Sequence, residues 1–195
     1  MSRLSIAAAA LLVVLPGISS AEPQRYELDA EHTTVAFLID HVGYAATLGL
    51  FANVEGGFTY DMETQDLSDL EVRVMTASVE TLNAARDEHV RSGDFLDVAE
   101  HEAMTFTAND GMAEGETSGT VTGDLTLLGE TRRLTLDVTL NKAAEYPFGH
   151  GRFTLGITAR GELNRSDFGM EYGVDNGLVG DTVRIIIETE AMRLE

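Results

Sequence analysis

The stretch AARDEHVRSGDFLDV, residues 84–98, gathers Arg86, His89 and Arg91 among acidic neighbours, and these are residue types that grip anions. An arginine fork offers paired donors to phosphate or carboxylate oxygens, and an imidazole can donate, accept or carry a proton. Asp87 and Arg91 stand four apart with the acid first, a favourable helical pair worth about 0.2–0.5 kcal/mol, so part of this charge has a purely structural use. Arg86, His89, Val90 and Gly93 follow three-four spacing and share a different stripe. That stripe mixes charge with apolar surface, which a merely solvated face does not need. The structural alternative is that Arg86 pairs with Asp87, Asp94 or Asp97 and only fastens the helix.

Other chemistries are weaker. His32, His41 and His89, with Asp29 and Asp87, suggest a zinc site, since zinc accepts three imidazoles. No short histidine spacing anchors one, and His32 and His41 have opposite strand parity, so no metal is expected. The chain contains no cysteine, which removes thiolate catalysis and sulfur-ligated metals. NRSDFGM, residues 164–170, places Ser166 beside Asp167, but no G-x-S-x-G elbow occurs anywhere. Asp167 is better read as making a local backbone turn, with Phe168 and Met170 as apolar contacts. His101 and His150 read as solvated loop residues.

The elements that must position these groups are strands. Apolar residues alternate at Val35, Phe37, Ile39 and His41, then at Val54 and Phe58, Leu70 to Val74, and Met104 with Phe106. The pattern resumes through Val121 to Leu127, crosses a turn at LGET into Leu134 to Leu140, and returns at 153–159 and 183–187. Period-two alternation without intervening helices predicts an all-β, antiparallel sheet of eight strands. Such a sheet must close into a barrel or stack as a sandwich to remove its edges. Three stretches break the pattern: 81–99, 146–151 and 165–181. The first, after the third strand, predicts one or two short helices, capped by Asn83 and ended by Gly93.

Residues 1–21 carry one base, Arg3, an apolar run from Leu4 to Leu15, and small residues before Glu22. This is the signal-peptide pattern, with a run too short to span a bilayer. The expected product is a soluble exported domain over 22–195, periplasmic by default and secreted as the alternative. The 13 basic residues face 33 acidic ones, for a formal net charge of −20. Such a surface repels phosphate backbones and excludes nucleic acid as a partner. With Lys142 the only lysine, the composition also suggests a saline environment.

The motifs DAEHTTVAFLIDHVGYAATLGLFANVEGGFTYD, RDEHVRSGDFLDV, GDLTLLGETRRLTL and NRSDFGM, in this order, resemble the YceI-like family of exported polyisoprenoid-binding proteins. The resemblance covers Tyr26 to Ala191. Three positions depart from the family pattern: Thr33 for a usual serine, Leu96 for phenylalanine, and His101-Glu102 for Tyr-Pro. The resemblance implies an extended lipocalin-like barrel that takes a long apolar chain, such as a polyprenyl phosphate or a quinone tail, into its interior. Phe37, Ile39, His41, Phe51 and Phe95 would then line the cavity or its entrance, with Phe168 and Met170 at the mouth. Arg86, Arg91 and Arg165, helped by His41 and His89, would meet the head group.

Magnitudes support that division of labour. Burying one five-carbon isoprene unit is worth roughly 4 kcal/mol gross. A local arginine pair at about 4 Å gains about 4 kcal/mol at an effective dielectric near 20, whereas charges beyond about 8 Å are screened. No cofactor is expected apart from a bound isoprenoid or quinone, and no enzymatic activity. Transient contact with a membrane surface and a homodimer fit the same picture. The rival readings are an enzyme with His41 or His89 as general base, and a structural or stress-response barrel filled by its own side chains.

Overall fold

The alternating segments close on themselves. The computed structural model describes residues 22–195, so the expected signal peptide lies outside the described residues. The strands are β1 (Gln24–Leu28), β2 (Thr34–His41), β3 (Ala45–Phe51), β4 (Val54–Tyr60), β5 (Leu67–Met75), β6 (Val79–Glu80), β7 (Ala103–Ala108), β8 (Met112–Ala113), β9 (Ser118–Leu127), β10 (Glu130–Glu145), β11 (Phe153–Asn164) and β12 (Val179–Arg193). Helix α1 (Ala84–Arg91) lies between β6 and β7.

Eight of these strands form a closed antiparallel ring in the order β1, β4, β5, β7, β9, β10, β11, β12 and back to β1. The barrel, not the sandwich, is therefore the solution to the edge problem. β12 makes the closure twice. Its last residues, Ala191 to Arg193, pair with β1, while Val179 to Glu188 pair with β2. β1 and β2 are thus two parts of one wall, broken at 29–33. Beyond that wall β3 pairs with β2, and β6 adds two rungs at Leu50 and Phe51.

β1, β3, β6 and β8 lie outside the eight segments that alternation picks out. β1 has only Tyr26 and Leu28 on its apolar phase. In β3 the phase that pairs with inward Phe37 carries Ala45, Thr47 and Gly49 before it reaches Phe51, so only its last residue is large and it shows no hydrophobic stripe. Gly49 has a steric reason: a Cβ there would sit 2.2 Å from Cζ of Phe37. The LGET turn forms as expected, with Leu128 at φ 53° and Gly129 at φ 77°, the positive pair that a two-residue hairpin requires.

α1 is capped as expected, Asn83 accepting from the backbone N–H of Arg86. Its end is a correction. The helix stops at Arg91, and Ser92 caps it by donating both its backbone N–H and its hydroxyl to the His89 carbonyl. Gly93 is not in the left-handed region that would have made it the terminator. The third break, 165–181, contributes a 3-10 turn at Arg165–Phe168 and then a loop.

Two packed groups divide the interior. Tyr26, Phe58, Leu155 and Ala191 plug one end, the Tyr26 and Phe58 rings stacked at 5.5 Å. The second group, including Val35, Phe51, Leu125, Leu136, Phe168 and Met170, forms the walls nearer α1. Among the described residues no helix is long and apolar enough to cross a membrane.

Candidate functional site

The inward phase of every alternating strand lines one internal cavity of about 580 Å³, whose wall is overwhelmingly aliphatic and aromatic. Phe37, Ile39 and His41 reach it from β2 and Phe51 from β3. Phe37 and Phe51 lie 5.7 Å apart, tilted, over the space that Gly49 leaves open. Thr33 also lines it, its hydroxyl 2.6 Å from that of Thr189. Leu96 is buried in the lining, so the smaller side chain leaves volume that a phenylalanine would fill.

Polar groups collect at the end covered by α1 and the 165–181 loop. Arg86, His89, Phe95, Arg165 and Met170 all line the cavity there. Of the acidic partners considered from the sequence, none forms a close ion pair with Arg86, although its charge helps to lower the Asp87 carboxyl. Its Nε donates to Thr81 Oγ1 at 2.8 Å and its Nη2 to the Thr81 carbonyl at 2.6 Å. Two hydrogen-bond commitments leave three of its five N–H groups uncommitted. His89 sits edge-on to Phe95 and Tyr172, at 5.0 and 4.8 Å, and its Nε2 lies 2.8 Å from Asp94. This three-ring cluster is the aromatic gatepost of the cavity.

Arg165 is the least expected member. It is 1 % exposed, and its guanidinium donates to four backbone carbonyls, those of Met170, Tyr172, Val179 and Gly180, at 2.7–3.0 Å. Burial pushes its pKa down, and the nearby Asp181 carboxylate pushes it back up. With one N–H left, its main work is to hold the loop around the mouth, with its charge 5.7 Å from the Phe95 ring centre.

Two expected contacts stand elsewhere. Arg91 lies outside the lining and ties the helix down, donating to the carbonyls of Ala77 and Val79. Its close ion pair is with Glu88 at 3.7 Å, and its charge also lowers the Asp87 carboxyl without a close bridge to it. Asp87 instead accepts from the Thr81 N–H and hydroxyl, and that hydroxyl bond holds its carboxyl below the usual range. Phe168 is buried in the core behind the lining. Ser166 bonds Asp181 through both its N–H and its hydroxyl, so the local turn draws its carboxylate from fifteen residues away and not from Asp167.

The imidazoles considered for zinc are dispersed. His41 lines the mouth, His89 pairs with Asp94, and His32 lies 2.8 Å from Asp29 at the β1–β2 break. Asp29, His32 and Glu190 do bring one potential ligand atom each within 4.8 Å of one another, away from the cavity. Their geometry already reads as an ion-pair cluster, with His32 2.8 Å from Asp29 and 3.9 Å from Glu190. The Asp29 bond pushes His32 up, while in Asp29 burial raises the carboxyl and the bonds from His32 and the Glu31 N–H, together with the nearby imidazole charge, leave it lowered.

Tyr172, Leu178 and Thr81 belong to the mouth and were not singled out from the sequence. Tyr172 had a weak signal, the continuation of the Phe168, Met170 spacing. Thr81 had none, because its role is to bond Arg86 and Asp87 around a helix start.

Comparison with known proteins gives four matches. The YceI-like domain matches residues 26–191 of the chain. A UPF0312 protein of Pseudomonas putida is 34 % identical over 195 residues, covering 99 % of each chain. Among solved structures, Burkholderia cenocepacia BcnA superposes with a TM-score of 0.73 at 21 % identity, over 85 % of this chain and 99 % of that one. A polyisoprenoid-binding domain from Saccharophagus degradans, implicated in plant cell wall breakdown, gives 0.61 at 16 % identity, over 87 % and 98 %.

Proposed function

The chain belongs to the YceI-like family, and from that premise we propose that it is an exported carrier that sequesters a long-chain apolar ligand, an isoprenoid lipid of the polyprenyl phosphate or quinone type, inside its barrel. The observation that carries the reading is the cavity itself. A barrel that only had to be stable would fill its interior with side chains, and this one leaves about 580 Å³ unfilled behind an apolar wall. Each isoprene unit taken in is worth roughly 4 kcal/mol gross, so a few units outweigh the cost of association. The polar groups at one end, Arg86 foremost, would receive the head group while the tail fills the barrel.

The same geometry gives little support to a serine hydrolase, because the serine of NRSDFGM is bonded to a carboxylate, with no imidazole among its hydrogen-bond partners. In this reading the segment 1–21 directs export to the periplasm, and loading takes place during transient contact with a membrane surface, because such ligands do not dissolve in water. Purification of the natively exported protein, followed by organic extraction and mass spectrometry, tests the proposal. A stoichiometric isoprenoid is the expected result. An empty protein that also takes up no prenyl lipid when offered it would overturn the reading, and turnover of a lipid that is lost in His41→Ala would favour the enzyme. Native mass of the intact complex reports whether the carrier is a homodimer.

A further inference from the structure

The barrel wall is not continuously laddered. β5 pairs with β7 only from Leu70 opposite Ala108 to Met75 opposite Ala103. Past that point, among the described residues, no backbone ladder joins 67–69 to 109–113. The chain after β7 turns instead toward the other neighbour, where Met112 and Ala113 of β8 pair with Thr120 and Gly119 of β9. Asp69, at φ 51°, sits in a bulge of β5 at the same level, and its carbonyl is taken by Nη1 of Arg25. A seam therefore runs down the wall between the start of β5 and the 109–117 segment.

The cavity reaches this seam. Gln65, Leu67, Gly111, Met112 and Glu116 are part of its lining, yet every residue of 109–117 is solvent-exposed and Met112 is 62 % exposed. A single layer of chain therefore separates the cavity from water here, at the opposite end from Arg86 and His89. Among the described residues, the side chain of Gln65 bridges the seam, with Leu67 Cδ2 lying close to Gly111 beside it. Nε2 of Gln65 donates to the carbonyls of Gly115 and Glu116, at 3.2 and 3.3 Å.

Gln65 is aimed by its turn. It adopts φ 63°, an unfavourable region for a residue with a side chain. The β4–β5 turn holds it there: its N–H donates to the Asp61 carbonyl, and the buried Asp61 carboxylate accepts from the N–H groups of Glu63 and Thr64. A rigid turn thus presents one amide across the gap in the backbone ladder. Segments with exposed hydrogen bonds and few buried contacts are the ones that open locally.

We propose that this seam is a second opening of the cavity, latched by Gln65, through which the far end of a chain longer than the barrel emerges. This rests on the apolar-ligand reading above and adds the rule for tail length. A closed cup excludes any tail longer than itself, whereas a tunnel with a latched side exit accepts long tails and lets the surplus leave past Leu67 and Met112.

The absence of native cysteine makes the test clean. Gln65→Cys/Glu116→Cys carries the only two thiols, which a short bis-maleimide joins across the seam. Binding of a short, three-unit prenyl alcohol and a long, nine-unit one is measured before and after cross-linking. The seam predicts that cross-linking removes at least about tenfold in affinity for the long probe, equivalent to about 1.4 kcal/mol, and leaves the short probe unchanged. Equal effects on both probes, or none on either, overturn the proposal. If the unmodified protein binds neither probe, the carrier reading fails separately, and amide exchange decides the seam. Gln65→Gly suits φ 63° and keeps the turn, so it should speed exchange in 109–117 alone by about tenfold. Unchanged exchange there overturns the latch.

Discussion

Single residues divide into those that face the cavity and those that hold its rim, and the division follows from where each spends its hydrogen bonds. Arg165 spends four donors on loop carbonyls, Arg91 spends its own on Ala77 and Val79, and only Arg86 reaches the cavity with most of its N–H groups uncommitted. Arg86→Ala is therefore expected to weaken a prenyl phosphate by about 1–2 kcal/mol, roughly tenfold, more than the matching neutral alcohol. Equal losses in a titration of the two probes would show that Arg86 only pins the helix through Thr81. The sequence pointed to Arg86 and His89 by type and spacing, and to Phe95 through the family resemblance. It could not tell Arg91 from Arg86, since both sit on one short helix and their difference is which carbonyls lie beneath them.

At the level of elements, β2 was legible and β3 was not, and the two explain each other. β2 announces itself with Val35, Phe37 and Ile39 because large residues mark its inward phase. β3 answers with Ala45, Thr47 and Gly49, and at Gly49 the Phe37 ring occupies the space that a side chain would have used. Gly49→Ala should therefore displace Phe37 and cost about 1–3 kcal/mol, the usual range for an overpacked core. Chemical denaturation measures the loss, and a second substitution, Phe37→Leu, should recover most of it; failure to recover would place the strain elsewhere. α1 was legible at its start, where a local Asn83 side chain does the capping. Its end depended on Ser92 rather than Gly93, a choice made by the chain that follows, since Phe95, Leu96, Asp97 and Val98 fold back onto the carbonyls of Val90, Arg91 and Ser92.

At the scale of the molecule, the sequence carries 33 acidic residues against 13 basic ones, while the interior is almost wholly apolar. Self-repulsion of that surface opposes folding, and raising sodium chloride from about 0.01 M to about 1 M shortens the screening length from roughly 30 Å to roughly 3 Å. The melting temperature is expected to rise by several degrees over that range; a protein equally stable without salt would refute a saline adaptation. The sequence by itself determined the class of fold, the inward face of each alternating strand, the LGET hairpin and the start of the helix, because each is written in neighbours two to four residues apart. Only the tertiary structure decided that β12 closes the ring against both β1 and β2, that Arg165 serves the loop and Arg86 the cavity, and that Gln65 spans a seam fifty residues away in the chain. Those outcomes depend on which carbonyls and rings the closed barrel brings together. Local spacing carries no record of partners that meet only when the sheet shuts.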